Sequence, residues 1–188
     1  MEQLKKFVDS ITPISDEVYE IIQALAFKRK VEKGALLLQQ GTVCKHIYLV
    51  TTGALRVFQY SEGKEITSRF TTPGTVITSF YSLISRTPTL ENIQAIAYSE
   101  VVMIPYKALE IEFEKHHVLE RLGRKILEDY FLKREERIMM LQSKSALERY
   151  QLLLAEHSEL LQLASLGHIA SYLGITQETL SRIRKKIR

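Results

Sequence analysis

The chain ends in Leu166-Gly-His-Ile-Ala-Ser-Tyr-Leu-Gly-Ile-Thr-Gln-Glu-Thr-Leu-Ser-Arg-Ile-Arg-Lys-Lys-Ile-Arg188, two apolar-periodic runs parted by a glycine. Ile169 and Leu173 stand four apart, so they share one face of a first helix. Ala170 is small where a second helix would cross closely. Gly174 suits the turn because it takes positive φ without a Cβ clash. Thr176 can cap the next helix, although Glu178 and Thr179 do not complete a capping box. Leu180, Ile183 and Ile187 then give that helix a buried side, and Gln177, Glu178, Ser181, Arg182 and Lys185 fall on the other. The pattern predicts a helix-turn-helix. Short polar groups at the start of its second helix suit base edges, and Arg182, Arg184, Lys185, Lys186 and Arg188 suit phosphates. The competing reading is a plain helical hairpin with a solvated basic tail.

Charge agrees with the first reading. From Ser143 to Arg188 there are seven Lys/Arg against four Asp/Glu, so three of the four net positive charges of the 188-residue chain lie in its last quarter. An anionic partner is drawn to that end. A 45% hydrophobic, 26% charged composition is that of a globular chain with enough apolar material for a core. No apolar run is long enough for a membrane span, and the Met1-Glu-Gln-Leu-Lys-Lys start shows no secretory signal. One cysteine, Cys44, excludes an internal disulfide and suits the cytoplasm.

Moving back along the chain, Val18, Ile21, Ile22 and Leu25 form an amphipathic helix that Ser15 or Asp16 can cap. Seven short strand candidates follow: 27–31, 36–39, 47–50, 55–60, 66–70, 93–97 and 101–104. Ser61-Glu-Gly-Lys64 and Thr72-Pro-Gly74 read as turns, and 79–85 as a short helix. Many short strands with regular turns predict an antiparallel β-roll or jelly roll. A short helix (108–113) and a long one (118–141) come next. On the long helix Leu119, Leu122, Ile126 and Tyr130 form one stripe, and Leu127, Phe131, Ile138 and Leu141 its neighbour. A stripe this wide can pack on the roll and also meet a second copy, and its first line is assigned to the dimer; the alternative is that it only covers its own domain. Leu147, Tyr150, Leu153, Leu154, Leu160, Leu161 and Leu163 then supply core to a terminal unit. The fold class is α+β. It divides into a sensor roll (1–117), a connecting and dimerisation helix (118–142) and a winged helix-turn-helix (143–188).

This order resembles the Crp/Fnr family of bacterial transcription regulators, over essentially the whole chain and most specifically in Ile169-Ala-Ser-Tyr-Leu-Gly-Ile-Thr-Gln-Glu-Thr-Leu-Ser-Arg182. Its phrasing is most similar to the Bacteroidetes-type branch. The resemblance implies a homodimer whose two recognition helices enter adjacent major grooves of a near-palindromic site. It implies that Glu178 accepts from a cytosine amino group, that Arg182 donates to a base edge, usually guanine, and that Ser181 sits on a thymine. Gln177 replaces an arginine of the cyclic-AMP-responsive members, so the outer base is expected to be read differently, in a half-site nearer TTGA-C/T than TGTGA. Thr176, Arg184, Lys185, Lys186 and Arg188 are the expected phosphate contacts.

The sensor end departs from the family pattern. Ser79 and Thr89 stand where a cyclic-nucleotide binder carries a glutamate for the ribose and an arginine for the phosphate. Neither can replace those groups, and a buried phosphate without a cation is costly. Arg86 stands close enough in sequence to compensate, but a solvated loop arginine is the stronger reading. Cyclic AMP is therefore not the expected effector, and no cofactor is expected. Cys44 alone cannot hold an iron–sulfur cluster, and His46, His116, His117, His157 and His168 lack metal-ligand spacing. No P-loop, His-Glu-x-x-His, Gly-x-Ser-x-Gly or Gly-x-Gly-x-x-Gly occurs, and an enzyme is not expected. The expected partners are double-stranded DNA, a second copy of the chain, RNA polymerase and an unidentified small-molecule effector, with no membrane. The rival is a ligand-binding or protein-interaction module of the same fold that does not regulate transcription directly.

Overall fold

The computed structural model describes residues 1–187; Arg188, a proposed phosphate contact, lies outside them. Two helices open the chain, α1 (Glu2–Ile11) and α2 (Asp16–Leu25). The first was not expected from its polar sequence. It forms because Leu4 and Val8, one turn apart, bury in the apolar cluster that also holds Leu119 and Leu122. Ser15 caps α2 by accepting from the Val18 N–H.

The strands are β1 (Phe27–Val31), β2 (Leu36–Leu38), β3 (His46–Thr52), β4 (Leu55–Ser61), β5 (Lys64–Thr71), β6 (Val76–Ile77), β7 (Asn92–Ala95) and β8 (Ser99–Pro105), with α3 (Phe80–Ser85) between β6 and β7. They pair antiparallel in two sheets, ordered β1-β8-β3-β6 and β2-β7-β4-β5. Val31, Tyr48, Val50, Val101 and Met103 of the first sheet meet Leu37, Leu55, Val57, Ile93 and Ala95 of the second to make the roll's core. Gly53 has φ 80°, and a Cβ there would collide with Ser99 and the Tyr98 carbonyl. Only glycine lets β3 pass into β4 so close to the start of β8.

The helical half is α4 (Tyr106–Lys115), α5 (His117–Ser143), α6 (Ala146–His157), α7 (Leu160–Leu163), α8 (Leu166–Leu173) and α9 (Gln177–Ile187). A capping box at Ser145 and Glu148 starts α6 directly after α5, so only Lys144 and Ser145 part the two helices, at a single tight corner. Helices α1, α2, α4 and the start of α5 cover the outer face of the first sheet through Leu49, Val102 and Ile104. The units α6 to α9 cluster with Phe70, Ala54 and Ile96 on the outside of the second. The result is four layers: helices, sheet, sheet, helices.

Two expectations need correction. The wing is not formed: among the described residues β8 is the last strand. The dimer stripe is misassigned. Leu119 and Leu122 are buried in the chain's own core, with Ile126 packed against them and Tyr130 against Phe80. Leu127, Phe131, Leu132, Ile138, Met139 and Leu141 are the exposed large apolar residues of α5. Two stripes of similar hydrophobicity compete for one sheet, and α1, invisible in the sequence reading, claims the first.

Candidate nucleic-acid interface

The two terminal helices are built as their local chemistry requires. Ser165 caps α8, its hydroxyl accepting from the His168 N–H at 3.2 Å. Gly174 ends α8 at φ 65°, and Ile175 N–H reaches back to the Ala170 carbonyl at 3.0 Å. Thr176 caps α9 through the Thr179 N–H, also at 3.2 Å. Ile169, Ala170, Leu173, Leu180 and Ile183 are buried with Tyr150 and Leu153 of α6 and Leu160 of α7. That core fixes which side of α9 faces out.

The outward side carries the expected groups. Gln177, Glu178, Ser181, Arg182, Lys185 and Lys186 are exposed, whereas Arg184 is half-buried. Glu178 is held below the usual carboxylate range by its own backbone N–H and the Thr176 hydroxyl, with a lesser pull from Arg182. It is an ionised acceptor near the positive end of α9. Arg182 donates to the Thr179 hydroxyl at 3.2 Å. Gln177 does not extend freely: a Cβ on Gly167 would lie 2.8 Å from its amide nitrogen, so this side chain folds across the start of α8. The Thr176 hydroxyl is already engaged in the cap, which leaves the helix N-terminus as its means of meeting a phosphate.

What the sequence reading missed is how this unit is seated. Ser171 accepts the Thr67 N–H and donates to the Glu65 carbonyl, both at 2.9 Å. One hydroxyl thus does for the free edge of β5 what a neighbouring strand would do. Beneath it, Arg56 is 2% exposed and bonds Gln94, Thr67 and Glu65 while lying over the Phe58 ring. His168 of α8 comes within 3.9 Å of the same Glu65 carboxylate. Burial and Arg56 push its imidazole pKa down, against the pull of Glu65. Arg137 of α5 stacks on Tyr172 and donates to that residue's carbonyl.

At the sensor end, Ser79 and Thr89 are brought together: their hydroxyls bond at 3.0 Å and both residues are buried. Arg86 is not brought to them. It caps α3 in the left-handed region and pairs with Glu110 at 2.7 Å on the surface. The cation turned towards this region is instead the half-buried Arg69, which donates to the Thr78 carbonyl at 2.9 Å, lies 5.2 Å from the centre of the Tyr130 ring and leaves its buried Nε without a partner. Simple alternation along β5 hides it, because Thr67 and Arg69 should share a face. A β-bulge opposite Val57 and Phe58 turns Arg69 inward to Val57 and leaves Thr67 outside under α8.

A sensor-like roll, a long helix and an outward-facing basic helix-turn-helix define a DNA-binding transcription regulator. The family model for the cyclic nucleotide-binding domain matches residues 28–116, the span from β1 to the end of α4. The regulatory protein HlyX of Actinobacillus pleuropneumoniae is 24% identical over 184 residues, covering 89% of this chain and 74% of its own length. The fumarate and nitrate reduction regulatory protein of Vibrio cholerae is 25% identical, covering 89% of this chain and 71% of its own. Among solved structures, FixK2 of Bradyrhizobium japonicum superposes with a TM-score of 0.73 at 25% identity, covering 86% of this chain and 84% of its own. Over most of its length the chain is similar to regulators of this kind, and residues 28–116 carry the cyclic nucleotide-binding domain.

Proposed function

We propose that this regulator works as a homodimer and reads a near-palindromic DNA site with α9, using Glu178, Ser181 and Arg182 at base edges and Arg184, Lys185 and Lys186 at phosphates. The observation that carries this is the exposure of those polar groups on a helix whose opposite side is locked by Leu180 and Ile183. Bases distinguish themselves in the major groove by donor and acceptor pattern, which an acid, a hydroxyl and a guanidinium on one rigid face can match.

The second copy is supported by α5. Leu127, Phe131, Arg134, Ile138 and Leu141 repeat at spacings of 4, 3, 4 and 3, a heptad seam interrupted only by Arg134. Beside it a groove of about 780 Å³, lined by Tyr81 and Ile84 of α3 and Leu127, Phe131 and Leu132 of α5, is almost wholly apolar. Phe131 and Leu132 are 59% and 60% exposed in the single chain, a patch that association would cover. Pairing along α5 would hold two α9 helices about 34 Å apart, one turn of DNA.

The effector, in this reading, is not cyclic AMP. Ser79 and Thr89, which the resemblance aligns with the ribose and phosphate partners, bond to each other, and Arg86 is spent on Glu110 at the surface. Contact with RNA polymerase is part of the same proposal and rests on family resemblance alone. Selection of bound sequences from random DNA, followed by a salt titration, tests the function. A near-palindromic consensus with steep salt dependence is expected. Weak, sequence-blind binding would instead favour the module that does not regulate directly.

A further inference from the structure

A second concave site lies beside β1 and β2, along the segment from Thr42 to His46. Strands β1 and β2 end their respective sheets, whereas β6 and β5, which flank Arg69, end the other side. Between β1 and β2 opens a cleft of about 390 Å³. Its apolar wall includes Leu37, Tyr48 and Met103, and its polar rim Arg29, Lys45 and His46. The register explains the grouping. Phe27, Met103 and Tyr48 are aligned across β1, β8 and β3, and Arg29, two residues on from Phe27, points to the same inner side. Phe27 stands edge-on to His46 outside the cleft, ring centres 5.9 Å apart.

The charges here are unbalanced. Among the described residues, no carboxylate lies within ion-pair distance of Arg29 or Lys45. Burial, then Lys45, then Arg29 lower the proton affinity of His46, so the field at the rim is positive. The buried Tyr48 hydroxyl reaches only the Leu37 carbonyl, at a long 3.5 Å, and burial keeps it protonated as a donor. Two cations, an imidazole and a phenol around a hollow repel a further cation and stabilise an anion. The volume is at the small end of ligand sites.

We propose that this edge cleft binds a small molecule with one anionic head and an apolar body, the head between Arg29, Lys45 and His46 and the body against Leu37, Tyr48 and Met103. The site adjoins the Ser79–Thr89 region through Thr42, whose carbonyl accepts the Thr89 N–H, but neither Ser79 nor Thr89 lines it, and it does not depend on the DNA reading.

The test titrates the full chain with phenyl phosphate, inorganic phosphate and phenol, following the His46 ring protons by NMR, assigned with His46→Gln. Phenyl phosphate is expected to shift those signals and raise the His46 pKa. It should bind at least about tenfold more tightly than phosphate or phenol alone, because head and body each contribute. The Arg29→Gln/Lys45→Gln double variant should lose about tenfold or more while keeping its thermal midpoint and its DNA binding. Unmoved His46 signals at ~10 mM phenyl phosphate, or equal affinity in the double variant, would overturn the proposal. Equal binding of inorganic phosphate would overturn the part played by the apolar wall.

Discussion

Arg182 and Lys186 sit one turn apart on the same exposed helix, yet their chemistry predicts different losses. In the proposed reading Arg182 offers a planar fork to a base edge, so Arg182→Ala should cost ~1–3 kcal/mol of DNA binding and relax one base position. Lys186→Ala should weaken all sequences alike and reduce the salt slope by about one. Binding to a panel of single-base operator variants separates them; equal, sequence-blind losses from both would remove Arg182 from the readers. Gln177 is subtler, because its amide rests where a Gly167 side chain would be. Gly167→Ala should displace that amide and change preference at the outer base alone, as read by repeating the random-DNA selection.

At the scale of elements, α5 has one face buried in the chain's own core and another, the proposed dimer seam, exposed. Leu119 is 1% exposed inside the chain's own core, so Leu119→Ala should cost ~2–5 kcal/mol of folding stability in urea melts. Phe131→Glu places a charge on the exposed seam instead. It should leave the fold intact and shift sedimentation from dimer to monomer, with loss of operator binding at the same concentration. If Phe131→Glu stays dimeric, the seam is elsewhere. The edge of β5 gives a third case. The Thr67 N–H is bonded to the Ser171 hydroxyl, so Ser171→Ala should speed hydrogen exchange at Thr67 without reducing Leu173 burial.

For the molecule as a whole, the terminal unit is stacked on the outer face of the second sheet, and His168 lies in that seam beside Arg56 and Glu65. Its pKa is lowered in the fold by burial and Arg56. The unfolded chain therefore takes up a proton first, from about pH 6.5 downward. The stabilisation is complete above that value and is lost as pH falls towards the folded pKa. His168→Gln should flatten this part of the stability-against-pH curve, measured by denaturant melts from pH 8 to pH 5. His46 is lowered in the same direction and will contribute its own acid sensitivity, which is why the variant comparison decides the matter.

Local chemistry made much of this protein legible in advance. Alternation and turn residues placed seven of the eight strands, and β6 was missed because two residues carry no period. The caps at Ser15 and Thr176, the Gly174 turn and the apolar positions of α8 and α9 follow from side-chain size, spacing and hydrogen bonding within a few residues. For that reason the sequence by itself determined the helix-turn-helix and the groups it turns outward. Tertiary structure alone decided which stripe of α5 is buried, because that depends on α1 arriving from more than a hundred residues away. It also decided that Arg69 turns inward at a bulge, that Arg86 turns out to Glu110, and that Ser171 closes the edge of β5. Each of these is a competition between distant groups for one partner, and spacing along a chain does not encode which of them wins.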